Sequence, residues 1–173
     1  MYTPQDAIAV GKSQLGYHEG TAGGHWDNVE KFANLIPGFA WAQGQPWCAV
    51  YAQFLLWFVG VDVPTGARSA SCGTSVAAYQ RAGRFIEYPI VGGQVFFGHN
   101  GGEHTGIVTS YDATYVYTNE GNTNSSGGAE GDGVYAKKRV RRDAYVYGYG
   151  VPYYRANGDS PDPHWNGRNL AIR

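Results

Sequence analysis

Near Gly92 the apolar residues of this chain change their period, and that switch constrains its fold class more than any other feature. Upstream, Thr3-Pro4-Gln5-Asp6 reads as an N-cap, a proline at the first helical position and an acidic first turn, with Ala7, Ile8, Val10 and Leu15 apolar up to Gly16. Further helices are expected over 26–35, between Gly23-Gly24 and Pro37-Gly38, over 49–59 up to Gly60, and over 74–82 up to Gly83. Downstream, alternation of period two predicts strands over 94–98, 104–111, 115–119, 134–140 and 145–153. Helices first and antiparallel strands after is the signature of an α+β domain.

One free cysteine sits where such a fold can activate it. Pro46 is tolerated only at a helix start, so Cys48 falls in the first turn of the helix that runs to Val59. Unpaired backbone N–H groups and the positive end of the helix dipole favour an anion there. The thiolate is stabilised, and the same amides can receive an oxyanion. A lone cysteine at the start of an apolar helix is more often a small buried hydrophobe. Its companions decide between the two readings.

His104 opens the alternating run Thr105-Gly106-Ile107-Val108-Thr109-Ser110-Tyr111, and Tyr115 to Glu120 reads as its hairpin partner through Asp112-Ala113-Thr114. The start of one strand lies opposite the end of the next, so His104 and Glu120 are expected to touch. An imidazole that takes a thiol proton needs a partner that fixes its tautomer and stabilises its charge, which a carboxylate does. His18, His25, His99 and His164 have no such carboxylate at a strand end; His99 precedes Asn100-Gly101-Gly102 and reads as a rim residue. The segment 122–128, rich in Asn, Ser and Gly, reads as a flexible loop beside the pair.

Pro46-Trp47-Cys48-Ala49, His104-Thr105-Gly106-Ile107-Val108 and Glu120-Gly121-Asn122 together resemble the three signatures of CHAP domains, the cysteine, histidine-dependent amidohydrolases and peptidases. The resemblance spans residues 5–154, and the order and spacing of the pieces are more specific than any one of them. It implies a papain-like (NlpC/P60-like) domain, N-terminal helices packed on a five- to six-stranded antiparallel sheet, that cleaves amide bonds in peptidoglycan. Cys48 would be the nucleophile, His104 the base, Glu120 the group that orients it and Asn122 a second polar support. The backbone N–H of Cys48, with Gln43 or Gln45 as a side-chain amide, would bind the oxyanion. The catalytic domain would span residues 1–155, with 156–173 a polar, proline-bearing tail or linker.

Composition narrows the partners. With 13 Lys+Arg against 14 Asp+Glu the formal net charge is −1, so no basic face for nucleic acid is expected. Lys137-Lys138-Arg139 with Arg141-Arg142 reads as a charged strand edge and turn. Fourteen Tyr, five Trp and 26 Gly suit a loop-rich fold with aromatic-lined grooves, and hence a sugar–peptide polymer. Cys72 is expected to be a free, non-catalytic thiol, because two cysteines make no disulfide framework. No Cys-x-x-Cys or His-x-x-x-His spacing occurs, Glu130-Gly131-Asp132 is too short for a calcium loop, and 38–47 contains no carboxylate, unlike the calcium-binding CHAP domains. Catalysis without metal or other cofactor is expected.

No roughly 20-residue apolar stretch is present, so membrane insertion is not expected. The first residues carry no basic segment followed by an apolar core, which favours a phage endolysin made in the host cytoplasm and admitted to the wall when the membrane is opened. A monomer is expected. An NlpC/P60-type bacterial wall peptidase and a non-catalytic wall-binding module remain the alternatives, separable by dependence on Cys48.

Overall fold

The computed structural model describes residues 2–126 and 131–154; the proposed tail 156–173, His164 and Glu130 lie outside the described residues. Among the described residues the chain is α+β, with four α-helices, a six-stranded antiparallel sheet and a two-stranded hairpin. The first helix, α1 (Pro4–Ser13), begins with the expected N-cap Thr3, closed into a capping box: Thr3 N donates to Asp6 Oδ2 at 2.7 Å, and Asp6 N donates to Thr3 Oγ1 at 3.3 Å. Leu15 lies beyond its end and is exposed.

The helix expected over 26–35 is mostly not one. Gly23 and Gly24, both at positive φ, turn a hairpin between β1 (Thr21–Ala22) and β2 (His25–Trp26), and Asn28 is left-handed at φ 57°. Only α2 (Phe32–Leu35) is helical. It starts where the buried Glu30 carboxylate accepts from the N–H groups of Phe32 and Ala33, a local cap that the hydrophobic pattern does not reveal.

The central helix, α3 (Cys48–Phe58), buries every residue from Cys48 to Leu56. It can be apolar all round because the strands over 104–111 and 115–123 cover one side and α1 and α2 the others. It starts two residues after Pro46, with Trp47 as N-cap, and ends in a Schellman motif: Gly60 N donates to Trp57 O at 2.9 Å and Val61 N to Leu56 O at 2.8 Å, with Gly60 at φ 72°. The fourth helix, α4 (Cys72–Arg81), begins two residues before the expected start and is capped by Ser71.

The large sheet has the order β3-β8-β4-β5-β6-β7, from β3 (Phe85–Ile86), β4 (Gln94–Phe97), β5 (His104–Tyr111), β6 (Tyr115–Thr123), β7 (Gly133–Val140) and β8 (Val146–Gly150). Six strands place it at the upper end of the expected number. Alternate residues of β4 point to two cores: Phe96 packs with Val76 and Tyr79 of α4, whereas Val95 and Phe97 join Val108, Val116 and Tyr149. Strand β6 runs four residues past its expected end, so Asn122 and Thr123 are fully buried and not part of a loop. Asn124 and Ser125 are held by Lys137 Nζ, which donates to their carbonyls at 2.7 and 3.1 Å.

Two polar links fix α3 against the sheet. Gln53 Nε2 donates to Gln94 Oε1 at 3.0 Å, Gln94 Nε2 to Thr105 Oγ1 at 3.2 Å, and Thr105 Oγ1 to Val95 O at 2.6 Å, all buried. Tyr51 Oη donates to Asn119 Oδ1 at 2.6 Å. The helix that carries Cys48 is thereby registered against β5 and β6, the strands that carry His104 and Glu120.

Candidate active site

Cys48 is the first residue of α3 and 5 % exposed. The turn before it is anchored at both ends. Trp47 is fully buried and its Nε1 donates to Glu19 Oε2 at 2.5 Å, while Asn28 N holds Glu19 Oε1 at 2.9 Å. The backbone of β6 approaches this turn closely, since a Cβ on Gly121 would lie 2.6 Å from both Trp47 and Tyr51. The N-terminus of α3 therefore rests on the strand that presents Glu120.

His104 and Glu120 are both fully buried, and the expected contact is present: His104 Nε2 and Glu120 Oε2 are 2.9 Å apart. Space for the carboxylate comes from Gly106, where a Cβ would sit 2.5 Å from Glu120 Cγ. The imidazole stacks on Phe97, its cross-strand partner, with ring centroids 5.9 Å apart. With Nε2 engaged by the carboxylate, Nδ1 is the nitrogen left for the thiol. It closes no hydrogen bond among the described residues. Cys48 and His104 are nevertheless coupled electrostatically, an engaged but unlocked pair such as resting catalytic sites often show.

A fourth side chain completes the line. Arg139 on β7 donates from Nε to Glu120 Oε1 at 2.9 Å and from Nη2 to Oε2 at 2.5 Å, and its guanidinium lies 4.7 Å from the Phe97 ring centroid. Thr118 Oγ1 adds a bond to Glu120 Oε1 at 2.5 Å. The basic cluster lies on an edge strand, as its pattern predicts, but not wholly as a charged edge and turn: Arg139 turns inward. The available signal was the period of β7, in which Tyr135, Lys137 and Arg139 share the half-buried face.

The charges follow from this geometry. Burial opposes ionisation of Glu120, yet Arg139 first and His104 second hold its carboxyl down at about 2. Burial likewise opposes charging His104, but the Cys48 thiol and the Glu120 carboxylate outweigh it and raise the imidazole to about 9. The Cys48 thiol is held well below its ordinary value, first by a hydrogen bond from Cys72 and then by His104, against the cost of burial. Both shifts favour a thiolate beside an imidazolium.

The remaining candidates separate clearly. Asn122 is buried beside the bulge of β6 at φ 54°, but it bonds neither His104 nor Glu120, and both its amide atoms lack a partner among the described residues. Gln43 is spent elsewhere: its Nε2 donates to Glu30 O at 2.5 Å and its Oε1 accepts from Glu30 N at 3.1 Å, tying down the loop that leads to Cys48. Its amide is thus engaged with Glu30, whereas the expectation gives it an oxyanion role. Gln45 is exposed two residues before Trp47. His99 is exposed, as expected. His18, expected to lack a carboxylate partner, has one, with Nδ1 2.7 Å from Asp132 Oδ2, but it is half exposed and stacks on Trp26.

Beside Glu19 opens a groove of about 510 Å³ lined in part by Trp26, Asn28, Asp132 and Tyr135. Among the described residues no group of three or more His, Cys, Asp or Glu is placed to hold a metal ion, and no helix is long and apolar enough to cross a membrane. Compared with known proteins, the chain matches no family model, no curated protein and no solved structure.

Proposed function

We propose that this chain is a cysteine-dependent peptidoglycan hydrolase of the CHAP type, papain-like in architecture, that cleaves an amide bond of the bacterial wall. The observation that carries the reading is the buried line of charge from the thiol at the start of α3 through His104 and Glu120 to Arg139. A structural cysteine needs none of this; a nucleophile needs a base, and the base needs an orienting group. The three motif segments that resemble CHAP signatures are the segments that converge there.

In the proposed reaction the Cys48 thiolate attacks the amide carbonyl carbon, and the C=O electron pair moves onto oxygen. The free N–H groups of the first turn of α3 stabilise that oxyanion. His104, already protonated, gives its proton to the leaving amine as the C–N bond breaks. Water, deprotonated by His104, then attacks the thioester and the thiolate leaves. Arg139 and Glu120 hold the imidazole through both proton transfers.

A polymeric sugar–peptide substrate is supported by the groove beside Glu19 and by two exposed indoles on the segments leading to Cys48, Trp26 at 52 % and Trp41 at 72 % exposure. The biological setting consistent with such an enzyme is phage-driven lysis, with the protein reaching the wall from the host cytoplasm once the membrane is opened.

The test is turbidity clearing of purified actinobacterial and firmicute walls by wild type and Cys48→Ala, with mass spectrometry of the released fragments. The variant should lose at least ~1,000-fold in lysis rate while keeping its melting temperature. New amino termini, paired with either a lactyl carboxylate or a peptide carboxylate, would identify the bond. Full activity in Cys48→Ala would overturn the reading, and wall binding without cleavage by wild type would indicate a binding module instead.

A further inference from the structure

Cys72 makes and breaks no bond in the reaction above, yet its Sγ lies 3.7 Å from Cys48 Sγ, where it helps hold that thiol low, and both thiols are free and 5 % exposed. They arrive from different helices: each is the first residue of its helix, and the packing of Ala49 and Cys48 against Val76 and Tyr79 brings the two N-termini together. Sequence gives no reason for that approach, since 24 residues separate the two cysteines and no framework of other cysteines surrounds them. We propose that Cys48 and Cys72 form a reversible thiol–disulfide switch, in which a peroxide closes the pair and stores the nucleophile as an intramolecular disulfide that low-molecular-weight thiols reopen. The regulatory meaning of the switch rests on the reading of Cys48 as nucleophile; the bond itself does not.

Closure requires the sulfurs to approach by about 1.7 Å to reach the usual 2.03–2.05 Å bond, a movement within the reach of side-chain rotation. The chemistry balances in two steps. The Cys48 thiolate attacks one oxygen of hydrogen peroxide, the O–O bond breaks, and Cys48 sulfenic acid and hydroxide result; sulfur is oxidised by two electrons and the peroxide is reduced. Cys72 then attacks the sulfenic sulfur, the S–O bond breaks, and the Cys72 proton leaves with the hydroxyl as water.

The environment suits this order of events. While Cys48 is a thiolate, Cys72 is held as the neutral donor, its ionisation opposed chiefly by its hydrogen bond to Cys48. Conversion of Cys48 to sulfenic acid removes that negative charge. Cys72, at the first turn of α4 behind the Ser71 cap, can then ionise and attack. A nucleophile with a resolving thiol in contact is also protected, because disulfide formation competes with irreversible over-oxidation to sulfinic acid.

The experiment uses the whole chain, reduced and then exposed to a graded series of hydrogen peroxide, with intact mass, peptide mapping and wall lysis read on the same samples before and after dithiothreitol. The expected result is a mass lower by two hydrogens, a peptide joining Cys48 to Cys72, and lysis that falls at least ~10-fold and returns with dithiothreitol. In Cys72→Ala the same dose should add two oxygens to Cys48, and dithiothreitol should not remove them. Wild type that gains oxygens on Cys48 while Cys72 stays reduced overturns the switch. A Cys48–Cys72 peptide in a protein whose reduced form lyses no wall supports the thiol pair and overturns the proposed hydrolase.

Discussion

Arg139 grips both carboxylate oxygens of Glu120, Nε to Oε1 at 2.9 Å and Nη2 to Oε2 at 2.5 Å, on a glutamate with no solvent exposure. The pair is buried on the carboxylate side and 16 % exposed on the guanidinium side. Such a pair adds little stability over an apolar replacement of both partners, but removing one partner strands the other. Its value here is positional, because the same carboxylate orients His104.

Arg139→Met should therefore cost about 3 kcal/mol in unfolding free energy, at the low end for a broken buried pair because the arginine is partly exposed. Lysis should fall ~100-fold as the imidazole loses its fixed orientation. Arg139→Lys keeps the charge but not the two-pronged geometry and should recover only part of both losses. Denaturant melts and lysis rates on the three proteins check this; unchanged activity in Arg139→Met would remove it from the site.

The ionisation of the site sets its pH range. The proposed reaction needs the Cys48 thiolate and the His104 imidazolium together, so lysis should decline as pH rises through about 9, where His104 loses its proton. On the acid side the decline should lie well below the ordinary thiol range. Stability follows the same charges with opposite signs. The His104 contribution is complete below its ordinary 6.5 and lost as pH rises through about 9. That of Glu120 is complete above its ordinary 4.5 and lost as pH falls through about 2. The Cys48 contribution, from a thiol held low, is complete above its ordinary 9.0 and lost as pH falls, so between 6.5 and 9 it offsets the loss from His104 and the site should be most stabilising there. Iodoacetamide alkylation of Cys48 across pH is the direct check, and a rate that rises only near ~8.5, as for a free thiol, would contradict the pair.

Two glycines should be indispensable for space. Gly106→Ala places a Cβ 2.5 Å from Glu120 Cγ and 2.9 Å from Asn119 O, and Gly121→Ala places one 2.6 Å from Trp47 and Tyr51. Each should cost ~1–3 kcal/mol and lower activity by displacing Glu120 or the start of α3. Gly73→Ala, in α4 with nothing within 4 Å of the new methyl, should be neutral or slightly stabilising. Thermal melts of the three variants separate crowding at the site from a general intolerance of substitution.

The α+β class, the bounds of β5 and the N-cap of α1 were legible because each rests on local rules: hydrophobic period, turn residues and cap chemistry. The contact between His104 and Glu120 was legible for a related reason, since a short hairpin connection leaves little freedom in which strand ends meet. Where the pattern misled, a polar residue had acted on its neighbours. Asn28 and Glu30 broke the expected helix, and Gln43, a plausible oxyanion donor by position, had already bonded to Glu30.

By itself, then, the sequence determined which residue types could carry chemistry and on which elements they would stand. The tertiary structure decided which distant groups they would meet. Arg139 reaches Glu120 only because β7 pairs with β6, and Cys72 reaches Cys48 only because two helix N-termini pack together. Local period and capping are properties of a few consecutive residues. Contacts between elements depend on how whole surfaces exclude water against one another, and no short segment records that outcome.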